Sequence, residues 1–180
     1  NSPRRLVRCF CKTYVSFYRG TPLLVQLILI FYALPTVGIT LSPLLAAVVA
    51  LSLNTAAFQG EILRAGFKML PKGQLEAARD FGFSAAQTLF YIQMPQVLRA
   101  MMPALINETI DIIKNSALVS VVAVHELMRV TQTLASTTYR PLEFYTACGL
   151  LYFLTSWGLS IVGTRLEKNR SSSAQRVLAQ

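Results

Sequence analysis

The sequence predicts an all-α integral membrane protein, on three observations. The 180 residues are 53% hydrophobic and only 14% charged, where a soluble domain carries about 25% charged residues. Apolar runs close to the roughly 20 residues a helix needs to cross a bilayer recur along the chain. The basic residues sort to alternate sides of those runs, a pattern that positions membrane proteins and that a soluble helical bundle has no reason to show.

About four spans are expected. The first is "TPLLVQLILIFYALPTVGI", Thr21 to Ile39. Pro22 suits a first helical turn, and Pro35 kinks or ends the helix. The second opens at Leu41 with Ser42–Pro43 and runs through "LLAAVVALSLNTAAFQGEIL". Only a few residues join these two, so they form a helical hairpin. The third, Arg99 to Val124, is less pure, because it contains Glu108, Asp111 and Lys114. The fourth, Phe144 to Thr164, is uncharged throughout. Residues 167–180 form a polar, Ser-rich tail expected to be flexible. The whole reads as a single transmembrane domain. The chain opens on "NSPRRLVRCFCKTY" without an initiator Met, and a further N-terminal span is expected upstream.

The net charge of +9 need not mean nucleic acid. Arg4, Arg5, Arg8, Lys12 and Arg19 precede the first span, and none lies between the first and second. Arg64, Lys68, Lys72, Arg79 and Arg99 fall between the second and third, and only Arg129 and Arg140 between the third and fourth. Four more follow the fourth span. The positive-inside pattern puts the N-terminal segment, the central loop and the C-terminus in the cytoplasm. Cys9, Cys11 and Cys148 have no framework spacing, so incidental thiols are expected rather than disulfides. No metal site is expected, and the lone His125 reads as a solvated loop residue.

The central loop, residues 72–95, interrupts the apolar pattern with "PKGQLEAARDFGFSAAQTLFYIQMP". A Pro-Lys-Gly turn precedes a short helix around Leu75–Phe81. Gly82 breaks it, Ser84 caps a second helix, and Pro95 closes that helix or opens the next. Two short helices at an angle make a knob on the cytoplasmic face. Leu75, Ala78, Phe81, Phe83, Leu89, Phe90 and Ile92 are its apolar seat.

The spacing Glu76-Ala77-Ala78, three residues, Gly82, nine residues, Ile92-x-Met94-Pro95 resembles the EAA motif of ABC importer permeases, with Met94 where the motif has Leu. "FYRGTPLLVQLILIFYALP", "LSLNTAAFQGEILRAGFKMLPKGQLEAA" and "IIKNSALVSVVAVHEL" are similar to the polar amino-acid uptake branch of that family, and the resemblance covers roughly Val15 to Leu166. It implies the type I ABC importer permease fold, with five spans in the intact subunit. It implies a coupling helix in which Glu76, Ala77, Ala78, Gly82 and Pro95 serve docking to an ABC ATP-binding subunit. It implies further partners: a second permease subunit, identical or paralogous, and an extracytoplasmic amino-acid-binding protein. The location implied is the bacterial plasma (inner) membrane. The chain has no G-x-x-x-x-G-K-[ST] phosphate loop, so it needs no cofactor of its own; ATP-Mg belongs to the partner subunit.

Ionisable groups within spans usually face a cavity or a partner. Asn54, Phe58 and Glu61 are spaced i, i+4, i+7 and share one helix face. In the resembled family this region contributes to an amino-acid site, where Glu61 would receive the substrate's amino group; the alternative is that Glu61 pairs with Arg64 at the membrane edge. Asp111 and Lys114, at i, i+3, suit a structural ion pair, and Glu108 and Asn115 lie on the Asp111 face and look inward with it. Two other readings stay open on residues alone. One is an ion-coupled secondary amino-acid transporter fragment with Glu61 or Asp111 as the coupling carboxylate. The other is a membrane scaffold without transport.

Overall fold

A computed structural model describes residues 3–178, with the side chains of residues 5–165. Among the described residues there are helices and turns and no strand. The helical structure begins ahead of Thr21. An 18-residue helix, α1 (Pro3–Gly20), comes first. Its arginines interrupt every apolar run, but they recur with helical period and fall on one side, so they mark an amphipathic helix and not a loop. At Ser-free "GTP", residues 20–22, the chain bends by 110° into the segment Leu23–Val37. That segment is not a uniform helix: α2 (Leu23–Ile28) passes into a π-turn over Leu29–Ala33 and a 3-10 turn over Leu34–Val37. Gly38, at φ +86°, ends it.

Ser42 caps α3 (Pro43–Met69), accepting from the Leu45 amide. At 27 residues α3 is about 40 Å long, ample for a bilayer. It is followed by α4 (Lys72–Asp80) and by α5 (Ala85–Gln87). A π-turn over Thr88–Gln93 then leads without a break into α6 (Met94–Asn115). The second loop helix is thus the first turns of α6, and Pro95 lies inside a continuous helical run. Both π-turns end within two residues of a proline, Pro35 or Pro95. A proline has no amide to donate and its ring crowds the carbonyl four residues back; a wider turn there relieves both, and the Met94 amide reaches back to Leu89 O.

After α6 the chain tightens into a 3-10 turn, Ser116–Val122, which Ala123 ends at φ 59°. Glu126 then caps α7 (Leu127–Thr138), which lies between the third and fourth expected spans, with its carboxylate accepting from the Met128 and Arg129 amides at 2.7 and 2.6 Å. The Glu126 carboxylate also accepts from Tyr152 OH at 3.0 Å, tying α7 to α8 (Pro141–Leu178). The backbone of α8 stays helical through most of the tail; Ala179 and Gln180 lie outside the described residues.

Among the described residues two helices are long and apolar enough to cross a bilayer, α3 and the Pro141–Arg165 part of α8, and α1 with the segment Leu23–Val37 counts as a third if that bent pair is taken as one span. α6 is long enough but carries Arg99, Glu108, Asp111 and Lys114. It packs between α3 and α8. Small residues set that fit: a Cβ on Gly66 of α3 would lie 2.8 Å from Val97 Cγ1, and one on Gly163 of α8 would lie 2.7 Å from Ile106 Cγ2. The buried residues are few, and Leu27, Ala47, Ala50, Val119 and Val122 form a small core cluster among them. Many of the bulky apolar side chains elsewhere are exposed, as suits helices that meet lipid or other subunits.

Candidate functional site

Two places gather the residues singled out above. The first is the loop between α3 and α6. Pro71 enters α4 in extended conformation. The exit is a Schellman turn: the Phe83 amide donates to Ala78 O at 3.0 Å and the Gly82 amide to Arg79 O at 2.9 Å, with Gly82 at φ +78°. These bonds satisfy carbonyls that the end of α4 would otherwise leave open. A Cβ on Gly82 would meet nothing within 4 Å. The glycine is therefore required by its left-handed backbone, not by crowding.

Ser84 and Gln87 form a reciprocal capping box, with Ser84 Oγ accepting from the Gln87 amide and Gln87 Oε1 from the Ser84 amide at 2.8 Å. Gln96 Nε2 donates to Gln74 Oε1 at 3.0 Å, strapping α4 to the start of α6. Ala78 is buried beneath the turn, while Glu76, Ala77, Gly82 and the rings of Phe81, Phe83, Phe90 and Tyr91 are exposed. Of the seven apolar residues expected to seat the knob, Ala78, Leu75, Leu89 and Ile92 turn inward wholly or in part, and the three phenylalanines do not. Pro95 is partly buried in α6. The result is a rigid polar and aromatic knob presented away from the bundle.

The second place is a cavity of about 530 Å³ between α3, α6 and the bend after α1. Asn54, Phe58, Asp111 and Asn115 line it, together with Glu108 and Lys114. Lys114 Nζ pairs with Asp111 at 2.6 Å. Glu61 is not in this cavity. It lines a neighbouring cleft, where Arg64 Nε donates to its Oε2 at 2.8 Å and Arg19 stands 3.8 Å from its Oε1. Arg19 also lies over the Phe58 ring, 5.6 Å from its centroid. Arg19 and Phe58 thus stand between cleft and cavity.

Asn54 is buried and already engaged, its Nδ2 donating to Gln26 Oε1 at 2.9 Å. Gln26 Nε2 in turn donates to Tyr18 O, Thr21 O and Thr21 Oγ1 at 2.8 to 3.0 Å. This network holds the 110° bend that forms one cavity wall. Gln26 was missed in the sequence, although a lone amide inside an apolar run is the signal that marks such a residue. Among the described residues no group of His, Cys, Asp and Glu is arranged to hold a metal ion, and the three cysteines are free thiols.

Comparison with known proteins gives a consistent result. Residues 1–171 match the family model of the binding-protein-dependent transport system inner membrane component. The L-cystine transport system permease protein TcyB of Bacillus subtilis is 39% identical over 165 residues, 91% of this chain and 70% of that one. The arginine transport system permease protein ArtQ of the same organism is 37% identical over 89% of this chain and 74% of its own. A crystal structure of an amino acid ABC transporter with histidines superposes with a TM-score of 0.86 at 36% identity, covering 93% of this chain and 78% of that one. The inward-facing MetNI methionine ABC transporter superposes at 0.77 and 21% identity, covering 93% and 77%, and shows the same fold.

Proposed function

The chain belongs to the family of binding-protein-dependent transport system inner membrane components, and from that premise we propose that it forms the translocation pathway of an ATP-driven amino-acid importer. Permeases of this family carry no ATPase site; hydrolysis is the work of a separate subunit. The relatives named for cystine and arginine transport support amino acids as the substrate class. The observation that carries the coupling role is the capped, glycine-turned knob of residues 72–95, set between two long helices. Its exposed Glu76 and Ala77 and its aromatic rim fit a groove on a partner. Because α5 and α6 are one continuous run, a push on the knob acts on the helix that bears Glu108, Asp111 and Lys114.

The cavity suits a zwitterion. Glu108 and Asp111 offer acceptors for an amino group, and Lys114 offers a cation for a carboxylate. Asn54 and Asn115 supply neutral polar walls and Phe58 an apolar one. Glu61 acts below the cavity, holding Arg19 and thus α1 against α3. ATP-Mg binds the partner ATPase; closure of the nucleotide-binding dimer drives the knob and switches the cavity between the two sides of the membrane. A second permease subunit completes the pathway, and an extracytoplasmic binding protein delivers the substrate. The N-terminal segment, the knob and the C-terminus face the cytoplasm, following the sorting of basic residues.

The test is uptake of a labelled amino-acid panel into proteoliposomes holding the full-length permease, its ATPase and its binding protein. Uptake that requires ATP and the binding protein is expected. Uptake that follows a proton or sodium gradient without ATP would transfer the assignment to a secondary transporter.

A further inference from the structure

The cleft beside the substrate cavity has chemistry that transport leaves unused. It measures about 740 Å³ and lies between α1 and α3. Arg8, Lys12, Arg19 and Arg64 line it, against the single carboxylate of Glu61. Glu61 is already paired with Arg19 and Arg64. Arg8 and Lys12 have no carboxylate within 4 Å among the described residues. These two stand one helical turn apart, at i and i+4, and Arg19 extends the same edge of α1. Ser16, between them, adds a hydroxyl to the wall.

The rest of α1 says where this cleft sits. Leu6, Phe10 and Phe17 form the stripe opposite the basic edge, and they are 74, 72 and 47% exposed. A helix with one cationic edge and one exposed apolar edge partitions to the boundary between headgroups and acyl chains. The 110° bend fits that placement, because it turns α1 out of line with the segment Leu23–Val37. The cations then lie at headgroup depth, on the side where anionic lipids attract basic residues.

We propose that the α1–α3 cleft is a binding site for the phosphate of an anionic phospholipid, held by Arg8 and Lys12 with Arg19 and Arg64 behind them. The lipid bridges α1 to α3 beside Arg19, the residue that separates the cleft from the substrate cavity. The inference depends on the membrane placement of the chain and not on what it transports.

The test uses the full-length permease bound to its ATPase, purified and without ATP, so transport does not enter. Phosphatidylglycerol and phosphatidylcholine compete for the complex, and native mass spectrometry reads the bound ratio. Wild type is expected to prefer phosphatidylglycerol. Each basic group near the headgroups contributes to that preference, so Arg8→Gln with Lys12→Gln is expected to lower it roughly thirtyfold. The swap Arg8→Lys with Lys12→Arg, which keeps the charge, is expected to retain it, as is Arg140→Gln on the far loop. No preference in wild type would overturn the site, and so would a preference that survives the double glutamine change. Inorganic phosphate serves as the second probe: if it binds the cleft while phosphatidylglycerol gains no advantage, the ligand is a soluble anion and the lipid assignment falls.

Discussion

Gly82 concentrates the proposed coupling role in one backbone angle. At φ +78° any L-residue with a Cβ is strained by about 1–2 kcal/mol, and no neighbour adds to that. Gly82→Ala is therefore expected to lower ATP-dependent uptake while the protein still inserts and binds its ATPase. Gly82→Asn, which tolerates the left-handed region, is expected to lower it less. Gly82→Arg adds bulk and charge to an exposed docking face and is expected to abolish uptake. The three variants are compared in the proteoliposome assay, and normal uptake by the arginine variant would remove the knob from coupling. Glu61→Gln tests the ion pair below the cavity. Losing the charge frees Arg19 from α3, and the expected outcome is a raised KM for uptake with ATPase docking intact. An unchanged KM would take Glu61 off the pathway.

Among elements, α6 decides most, because the knob, the cavity and two packing faces all lie on its run. Its fit against α3 and α8 depends on glycines. At Gly66 an added methyl also meets Met101 Cγ at 2.6 Å, but that flexible chain can swing aside; Val97, branched at Cβ, cannot. Gly66→Ala is expected to destabilise the helix pair by about 1–3 kcal/mol, and Gly163→Ala to act alike through Ile106. A lowered midpoint in thermal unfolding of the purified complex checks both. On α2, Gln26→Leu leaves the Asn54 amide and the Thr21 carbonyl without their buried partner. Each such group costs about 1–3 kcal/mol, so the bend after α1 should loosen and uptake fall.

At the scale of the whole molecule, the small core and the many exposed apolar side chains describe a subunit that is finished by lipid and by partners. Its orientation is open to a direct test. In a background with Cys9, Cys11 and Cys148 replaced by serine, Lys72→Cys in the knob is expected to react with a membrane-impermeant maleimide only from the cytoplasmic side. Thr40→Cys, between α2 and α3, is expected to react only from the other. The reverse pattern would invert the topology drawn from the basic residues.

The sequence by itself determined the class of the protein, the position of the knob and the residue that turns it. Helical membrane spans follow from composition and run length, and a glycine at a helix end follows from backbone sterics, so both are local and legible. The face shared by Asn54 and Phe58 was legible for the same reason, since helical period alone relates them. Tertiary structure decided the rest. It set an amphipathic helix ahead of the first expected span and bent from it by 110°, because α1 hides its period among arginines and the bend rests on Gln26, 28 residues from its partner Asn54. It joined the second loop helix to α6, because a π-turn can absorb Pro95. It moved Glu61 out of the cavity, because an i+3 arginine and Arg19 from α1 claim its carboxylate. Helical period fixes which residues share a face; only the packing of one helix on another fixes what that face meets.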